Sequence, residues 1–501
     1  MIGSSAPRQG EIALVAWLLA GGLAFAPLFR SGKPALAVLV LELLAVVLLL
    51  IVLWRPRQGL YGSLHGVGLA VLLAIPLLYL VTLPVSLVEW LPGRDEYLAA
   101  QRLASAELLK TASLYPLETA SASLFLLVPI GVFLGTRLLD VRHTMGLVHL
   151  LLGLAAAQAL LGLLQYVANP GSPQLLGLDL PAVRSAVGTY TNRNHLAGLL
   201  EMVLPVALAL MVYSVGRRGD GSGATWRTRF AELGSLRGHV ALGYGALALM
   251  IVLGLVFTRS RAGIGLGLLG VLVSTALFAR RIGGDNVYGA TGTLVASSLG
   301  IGAAIGLAQV LDRFSVASAV QDSRWTIFSS TMEGIGAFAP LGSGPGTYPN
   351  VFVAFQPVDL GRWFVNHAHN DYLEWLFEGG LVALGVLIFI LFLFVRQWFK
   401  LLAPGPWTRF RFVQVGAGIG VSLLAVHSLL DFNLHIPANV LYFAFLSGIF
   451  LSEPTAAVTK VQGGRREQTP TLEQAREDKR AAAPKDQPRP SPEQIPNPFL
   501  D

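Results

Sequence analysis

The fold is decided by long uncharged segments such as residues 34–54, which read PALAVLVLELLAVVLLLIVLW and contain one charged side chain, Glu42. A helix of about 20 apolar residues is long enough to cross the hydrocarbon core of a bilayer. Of the 501 residues, 53% are hydrophobic and 13% are charged, about half the charged fraction of a soluble domain. The apolar runs are continuous rather than alternating, which disfavours a β-barrel. The sequence therefore predicts an all-α polytopic membrane protein.

About twelve segments are long enough to be transmembrane helices. They lie near residues 12–29, 34–54, 64–84, 121–139, 144–168, 194–215, 238–257, 262–279, 289–311, 373–395, 412–431 and 436–453. The expected domains are nine helices in residues 1–311, a large periplasmic loop at 312–372, three helices in 373–453 and a tail at 454–501. The tail is rich in proline, glutamine and mixed charges, which is typical of a disordered cytoplasmic segment.

Lysine and arginine set the expected orientation, because they are enriched in cytoplasmic loops. If every segment crosses the membrane, both termini are cytoplasmic, together with the basic loops near 55–57, 137–142, 217–237, 280–281 and 396–411. The other face then receives the loops at 85–120, 169–193, 258–261, 312–372 and 432–435. The first apolar segment lacks a convincing cleavage site and is expected to remain as a helix. Apolar residues at helical spacing in the 85–120 loop predict an amphipathic helix on the outer surface.

Charge and cysteine content narrow the possible functions. The net charge of +7 comes from basic residues in short loops, where they set topology, and does not indicate nucleic-acid binding. The chain has no cysteine, which excludes disulfides, Cys-ligated zinc and thiol catalysis. This composition is compatible with a bacterial inner membrane.

The most informative polar motif is the stretch 366–373, which reads NHAHNDYL. Polar side chains beside a membrane helix are costly unless they have a function. A single catalytic histidine is the preferred interpretation, because a neutral imidazole can take a proton from a sugar hydroxyl near neutral pH. The structural alternative is a hydrogen-bonded histidine that caps the helix beginning at Leu373.

The same motif allows a metal site as a weaker interpretation. His367, His369 and Asp371 could share a metal ion only in an extended segment, because residues two apart diverge on a helix. His427 and His435 could add ligands only through tertiary contact. The sequence therefore predicts no metal centre.

Two arginine motifs also lie on the predicted outer side. Arg259 and Arg261 occupy the turn at 258–263, against the positive-inside tendency. An arginine at such a position can hold phosphate through its bidentate fork, or it can extend to lipid headgroups. Arg324 follows Asp322 and Ser323 at an expected helix start, where an ordinary surface arginine is the alternative.

Three further segments contain candidate residues. Asn194 is expected to cap the helix that begins near it. Asp431 lies between apolar residues and needs an arginine or histidine partner. The glycine-rich segment 341–348 could present backbone N–H groups to an anion, although it lacks the lysine and spacing of a nucleotide-binding loop. A plain connecting turn is equally compatible.

The order of these motifs resembles that of the O-antigen ligase and polymerase superfamily of bacterial inner-membrane proteins. The motifs are GTYTNRNHLAG at 188–198, SRAG at 260–263, SRW at 323–325, GSGPG at 342–346 and HNDYL at 369–373. The resemblance extends from about Gly188 to the last helix. It implies a GT-C-like fold with many helices and a large periplasmic loop.

The resemblance also implies a mechanism: metal-independent, inverting glycosyl transfer without a cofactor. The donor would be a glycan on undecaprenyl diphosphate, presented at the periplasmic face. The family's motif arginines correspond to Arg261 and Arg324, which would hold the diphosphate, and its catalytic histidine corresponds to His369. The outer loops lack the Asp-x-Asp motif of metal-binding transferases. Residues expected to bind substrate or support the site are Arg193, Asn194, Arg259, His367, Asn370 and Asp431.

Several alternatives remain open at the level of sequence. Arg259 is a second candidate for the phosphates, and His367 is a second candidate base, although the following Asn370 favours His369. The acceptor could be lipid A core, as in a ligase, or a growing glycan, as in a polymerase. A transporter or flippase of lipid-linked glycans is the main alternative function, and transfer to protein hydroxyls is a weaker one. Membrane lipids are expected partners in each case.

Overall fold

The computed structural model describes residues 9–54, 64–168, 174–175, 178–179, 185–216, 236–282, 284–305 and 323–453. The α-helices in these residues are α1 (Gln9–Leu28), α2 (Ala35–Trp54), α3 (Leu64–Leu78), α4 (Val85–Val88), α5 (Asp95–Leu103), α6 (Pro116–Phe125), α7 (Leu127–Leu138), α8 (Val141–Val167), α9 (Arg193–Val215), α10 (Leu236–Phe257), α11 (Arg261–Ile282), α12 (Gly284–Ile305), α13 (Arg324–Phe338), α14 (Tyr348–Val351), α15 (Asp371–Leu402), α16 (Arg409–His427) and α17 (Pro437–Phe450). Short 3-10 turns occupy Arg30–Gly32, Phe352–Phe355, Val358–Leu360 and Asn433–His435. The strands β1 (Gln174–Leu175) and β2 (Leu178–Asp179) pair antiparallel.

Ten segments of the described chain are long and apolar enough to cross a membrane, which confirms the prediction of an all-α polytopic protein. They are α1, α2, the adjoining pair α6–α7, α8 to α12, α15 and α16. The other two predicted spans coincide with α3 and α17. These helices have 15 and 14 residues, fewer than the roughly 20 that cross a bilayer.

Helix α9 is the centre of the main core. Of its most apolar 18 residues, 94% are buried inside the protein, against 22% for α15. It packs against α10, α11 and α16. A side chain at Gly420 of α16 would overlap the carbonyl oxygen of Met202, so glycine allows these two backbones to touch. This close packing fixes the ends of α9 and α16 relative to each other, and both ends contribute to the site described below.

A second hydrophobic cluster joins the 85–120 segment to residues 327–377. The predicted amphipathic helix is present as α5, and its apolar residue Leu98 is buried in this cluster. Arg94 is fully buried beside it and donates hydrogen bonds to the carbonyls of Ala112 and Gly342. The two predicted outer loops therefore fold against each other.

A break in α15 organises the glycine-rich segment. Gly380 has φ of 52° and ψ of −137°, so the helix is interrupted there, and the freed N–H of Leu381 donates to the Pro340 carbonyl at 2.8 Å. The N–H of Gly344 donates to the Glu378 carbonyl at 2.8 Å, and that of Tyr348 donates to the Glu378 carboxylate at 2.9 Å. These amides are satisfied within the protein, which favours the connecting-turn interpretation over anion binding.

Several predicted features fall outside the described residues. They are the tail at 454–501, the beginning of the large loop at 312–322, the end of the ninth predicted span at 306–311, the basic loop near 55–57 and most of the basic loop at 217–237.

Candidate active site

Asp431 is the side chain on which the candidate residues converge. It is fully buried and follows the end of α16. Its Oδ2 accepts hydrogen bonds from Asn194 Nδ2 at 2.7 Å and from Arg324 Nη2 at 3.3 Å. Its Oδ1 accepts from the backbone N–H of Phe432 at 2.9 Å and lies 3.4 Å from His369 Nδ1. One carboxylate therefore connects the starts of α9 and α13 with the segment that precedes α15.

A cavity of about 180 Å³ opens beside this carboxylate. Its lining residues are Arg193, Asn194, Arg259, Ser260, Arg261, Ala262, Arg324 and His427. Three of the four arginines, Arg193, Arg261 and Arg324, are the first residues of α9, α11 and α13. The N-terminus of a helix carries partial positive charge and exposes N–H groups. The cavity therefore combines guanidinium groups with helix N-termini, an arrangement that attracts anions.

His369 is held at the edge of this region by an unusual backbone. Its φ is +51°, which side chains other than glycine rarely adopt. The next residue, Asn370, caps α15 by accepting the N–H groups of Tyr372 and Leu373, both at 3.1 Å. The imidazole is 27% exposed, so a substrate can reach it. A strained, accessible histidine fixed by a helix cap is typical of a functional position.

The electrostatic state of Asp431 follows from its neighbours. Burial favours the neutral acid, but the His195 and His369 rings and the charge of Arg324 outweigh burial and hold the pKa of Asp431 well below its usual range. Asp431 is therefore an anion at neutral pH. It compensates part of the positive charge of the arginines.

His367 lies in a different environment from His369. Its Nδ1 is 2.8 Å from Glu374 Oε1, and its ring stacks on Phe432 with centroids 4.3 Å apart. The His369 ring contacts the same phenyl group at 4.9 Å, with the planes inclined by 70°. The two histidines therefore share a packing partner but belong to different hydrogen-bonded groups.

His435 belongs to the group around His367. Its Nδ1 is 2.6 Å from Asp371 Oδ1, and its Nε2 is 3.3 Å from Glu374 Oε1. Burial lowers the pKa of His435, but the charges of Glu374 and Asp371 outweigh burial and raise it to about 10.

Part of the chain matches a known protein family. Residues 245–388 match the family profile described as O-antigen ligase. Over these residues, the match supports the resemblance to the O-antigen ligase and polymerase superfamily that the motifs indicate. No curated protein sequence matches the chain. A protein of that family would be a glycosyl-transferring enzyme that uses a lipid-linked glycan and a glycan acceptor.

The residues that match the profile contain only part of the site. Arg259, Arg261, Arg324 and His369 lie within 245–388, whereas Arg193, Asn194 and Asp431 lie outside it. The structure nevertheless brings both groups to the same region.

The predicted cap of α9 is wrong, and the structural alternative given for the 366–373 motif, a histidine cap, is not observed. Asn192, and not Asn194, caps α9: its side chain accepts the backbone N–H of Asn194 at 2.9 Å. The Asn194 side chain donates a hydrogen bond to Asp431 instead. The helix expected from Leu373 begins at Asp371, and its cap is Asn370 rather than a histidine. In both cases an asparagine just before the helix is favoured, because its short side chain reaches the exposed N–H groups of the first turn.

Sequence reasoning missed a buried pair beneath the cavity. His427, which lines the cavity, has its Nδ1 2.9 Å from Glu201 Oε1, and both side chains are buried. His195 was also missed; its Nε2 lies 3.7 Å from Asp431 Oδ1. Glu201 is an acidic residue within an apolar helix, and this is the signal that could have identified the pair.

Proposed function

We propose that this protein transfers a glycan from undecaprenyl diphosphate to a sugar hydroxyl, at the end of the helices where the arginine-lined cavity opens. The observation that carries the proposal is the shared contact of Arg324 and His369 with Asp431. This contact supports the proposal because it brings His369, the proposed base, close to Arg324, which is proposed to bind the leaving group. The reaction needs a base at the acceptor hydroxyl and positive charge at the diphosphate leaving group.

The cavity is suited to the diphosphate of the donor. A diphosphate leaving group carries several negative charges, and arginine binds phosphate oxygens with two parallel hydrogen bonds. Arg193, Arg259, Arg261 and Arg324 line the cavity. With the helix N-termini, they would stabilise the charge that develops as the glycosidic bond to phosphate breaks. In this arrangement arginines neutralise the diphosphate, a task that a magnesium ion performs in other transferases.

His369 is suited to activate the acceptor. Its Nδ1 faces Asp431, which favours the tautomer that leaves Nε2 free to accept a proton. In the reaction, Nε2 takes the proton of the acceptor hydroxyl, and the acceptor oxygen forms a bond to C1 of the donor sugar. The C1–O bond to phosphate breaks, and its electron pair leaves with undecaprenyl diphosphate. One displacement of this kind inverts the configuration at C1.

The position of the charged residues favours an enzyme over a flippase. Arg193, Arg261 and Arg324 are at helix starts, and Asp431 follows a helix end. A transporter is expected to place its binding groups near the membrane midplane, in broken helices. With both termini in the cytoplasm of a bacterial inner membrane, the site opens to the periplasm, where a lipid-linked donor and a glycan acceptor meet.

The test is a transfer assay with purified protein, an undecaprenyl-diphosphate-linked glycan and two acceptors, lipid A core and a lipid-linked repeat unit, without added divalent metal. Wild-type protein should transfer glycan to one of them, and the acceptor used separates ligase from polymerase. His369→Ala should lower the rate about 10²–10⁴-fold, the usual contribution of a general base. Arg261→Ala should lower it about 10²–10³-fold, as for loss of one charge-stabilising donor.

The matched controls lie near the start of α8. His143 is paired with Asp140, and Arg142 is exposed; both are remote in sequence from the cavity-lining residues. His143→Ala and Arg142→Ala should keep wild-type rates. Wild-type transfer by His369→Ala would remove the assigned base, and no transfer by wild type to any acceptor would refute the enzyme proposal.

A further inference from the structure

A second group of polar side chains includes His367, whose ring stacks on Phe432. His367, Glu374 and His435 each offer one ligand atom, and these atoms lie within 4.8 Å of one another. Glu374 Oε1 is 2.8 Å from His367 Nδ1 and 3.3 Å from His435 Nε2. Two imidazole nitrogens and one carboxylate oxygen are the ligand set of many zinc sites.

The ligands come from three separate elements that the fold holds in place. His367 is in the segment before α15, Glu374 is in its first turn, and His435 ends the 3-10 turn before α17. Residues contributed by three elements give a preformed site, because no single loop must become ordered around the ion.

Further hydrogen bonds orient the ligands as they do in metal sites. Asp371 Oδ1 lies 2.6 Å from His435 Nδ1, and the opposite nitrogen, Nε2, lies 3.3 Å from Glu374 Oε1. The N–H of Ala368 donates to Glu374 Oε2 at 2.8 Å, which leaves Oε1 for the two imidazoles. A carboxylate behind a ligating histidine is the usual outer contact of a bound zinc ion.

The burial of the three side chains suits a small ion. The Glu374 side chain is 2% exposed, whereas those of His367 and His435 are 20% and 23% exposed. The oxygen ligand is thus shielded from water, and the imidazoles leave a path by which an ion can enter.

We propose that His367, Glu374 and His435 bind a divalent transition metal ion, with zinc as the preferred ion. The site is separate from the arginine-lined cavity, and its ion has no part in neutralising the diphosphate. Three protein ligands leave one coordination position for water.

The ion would also position His369, a role that rests on the proposed function. His367 stacks on one face of Phe432, and the His369 ring contacts the same phenyl group edge-on. Fixing His367 on a metal therefore fixes the ring against which His369 packs. It also anchors the segment in which His369 adopts a positive φ.

The test measures metal content in full-length protein purified in detergent without a polyhistidine tag, by plasma mass spectrometry. Wild type should contain about one zinc ion per chain, and Glu374→Gln and His435→Ala should lose it. Asp371→Asn should keep the site but weaken zinc binding about 10–100-fold, as expected for an outer contact. His143→Ala, remote in sequence from all three ligands, should retain full zinc content.

A second measurement does not depend on the folding of any variant. Wild-type protein stripped of zinc and loaded with cobalt should show visible ligand-field bands, which zinc then abolishes. Wild type without stoichiometric metal, and without such bands, would overturn the proposal. It would show that the contacts of Glu374 with His367 and His435 form without a metal ion.

The metal proposal and the proposed function fail in different ways. His369→Ala should lose transfer while keeping its zinc, because His369 is not a ligand. Loss of zinc from His369→Ala would overturn the ligand assignment. Absence of transfer by zinc-loaded wild type would refute the proposed function and leave the metal site standing.

Discussion

Asp431→Asn is the substitution that tests the proposed site most directly. It keeps the size of the side chain and an oxygen that can accept the Phe432 N–H, but it removes the buried negative charge beside His369 and Arg324. In the proposed reaction His369 becomes an imidazolium as the acceptor loses its proton. The asparagine variant would lack the anion that stabilises this positive charge.

The size of the effect follows from the geometry. Two unit charges at the 3.4 Å that separates Asp431 Oδ1 from His369 Nδ1 interact by about 5 kcal/mol at an effective dielectric constant of about 20. If the proton is half transferred in the transition state, the variant loses about half of this interaction energy. Since 1.36 kcal/mol corresponds to a factor of ten, kcat should fall about 10²-fold.

The assay is steady-state transfer with the donor concentration varied, so that kcat and KM are obtained separately. KM for the donor should stay unchanged or fall, because loss of the carboxylate leaves Arg324 with more positive charge for the diphosphate. Asp140→Asn, at the cap of α8, is the matched control and should behave as wild type. A folded Asp431→Asn protein with kcat within about twofold of wild type would refute the electrostatic argument.

Three further substitutions or conditions give independent checks. Gly380→Ala should lower Tm, because a Cβ at this positive φ would overlap the Pro340 carbonyl, whereas Gly385→Ala meets nothing within 4 Å and should be neutral in a thermal unfolding scan. Arg324→Lys should raise the donor KM about tenfold, since lysine keeps the charge but loses the bidentate fork; an unchanged KM in donor titrations would contradict diphosphate binding there. The lowered pKa of Asp431 stabilises the fold above the unfolded pKa of about 3.9, and this stability is lost as pH falls through the folded value, so Asp431→Asn should flatten the acid limb of a stability–pH curve.

Much of the fold could be predicted because the dominant signal is local. A continuous apolar run specifies a membrane helix by its length alone, and each of the twelve predicted spans coincides with helical segments in the described chain. Helix length was less predictable. Helix α17 ends after 14 residues, and α15 continues for 32 with a break at Gly380. A glycine at positive φ is set by tertiary contact with Pro340, which the local pattern does not contain.

Candidate site residues could be named from the sequence, but their contacts could not. His369, Arg261 and Arg324 lie in short motifs, and their catalytic roles remain predictions that the family resemblance implies. The contact of Asn194 with Asp431 spans 237 positions of sequence, so only the folded chain shows it.

The two histidines of the polar stretch before α15 lie in different environments, although the sequence alone makes both of them candidates for the same role. His367 and His369 are two residues apart, yet one lies beside Glu374 and the other beside Asp431. The positive φ of His369 turns the backbone between them, and Phe432 contacts both rings. Hydrogen bonds hold the segment on each side of His369. The Ala368 N–H donates to Glu374, and the Asn370 side chain caps α15. A strained backbone persists only where its surroundings fix it, and here those surroundings include the group for which we propose a metal ion. The His367 group is therefore best understood as the support that holds the proposed base in position, rather than as a second copy of it.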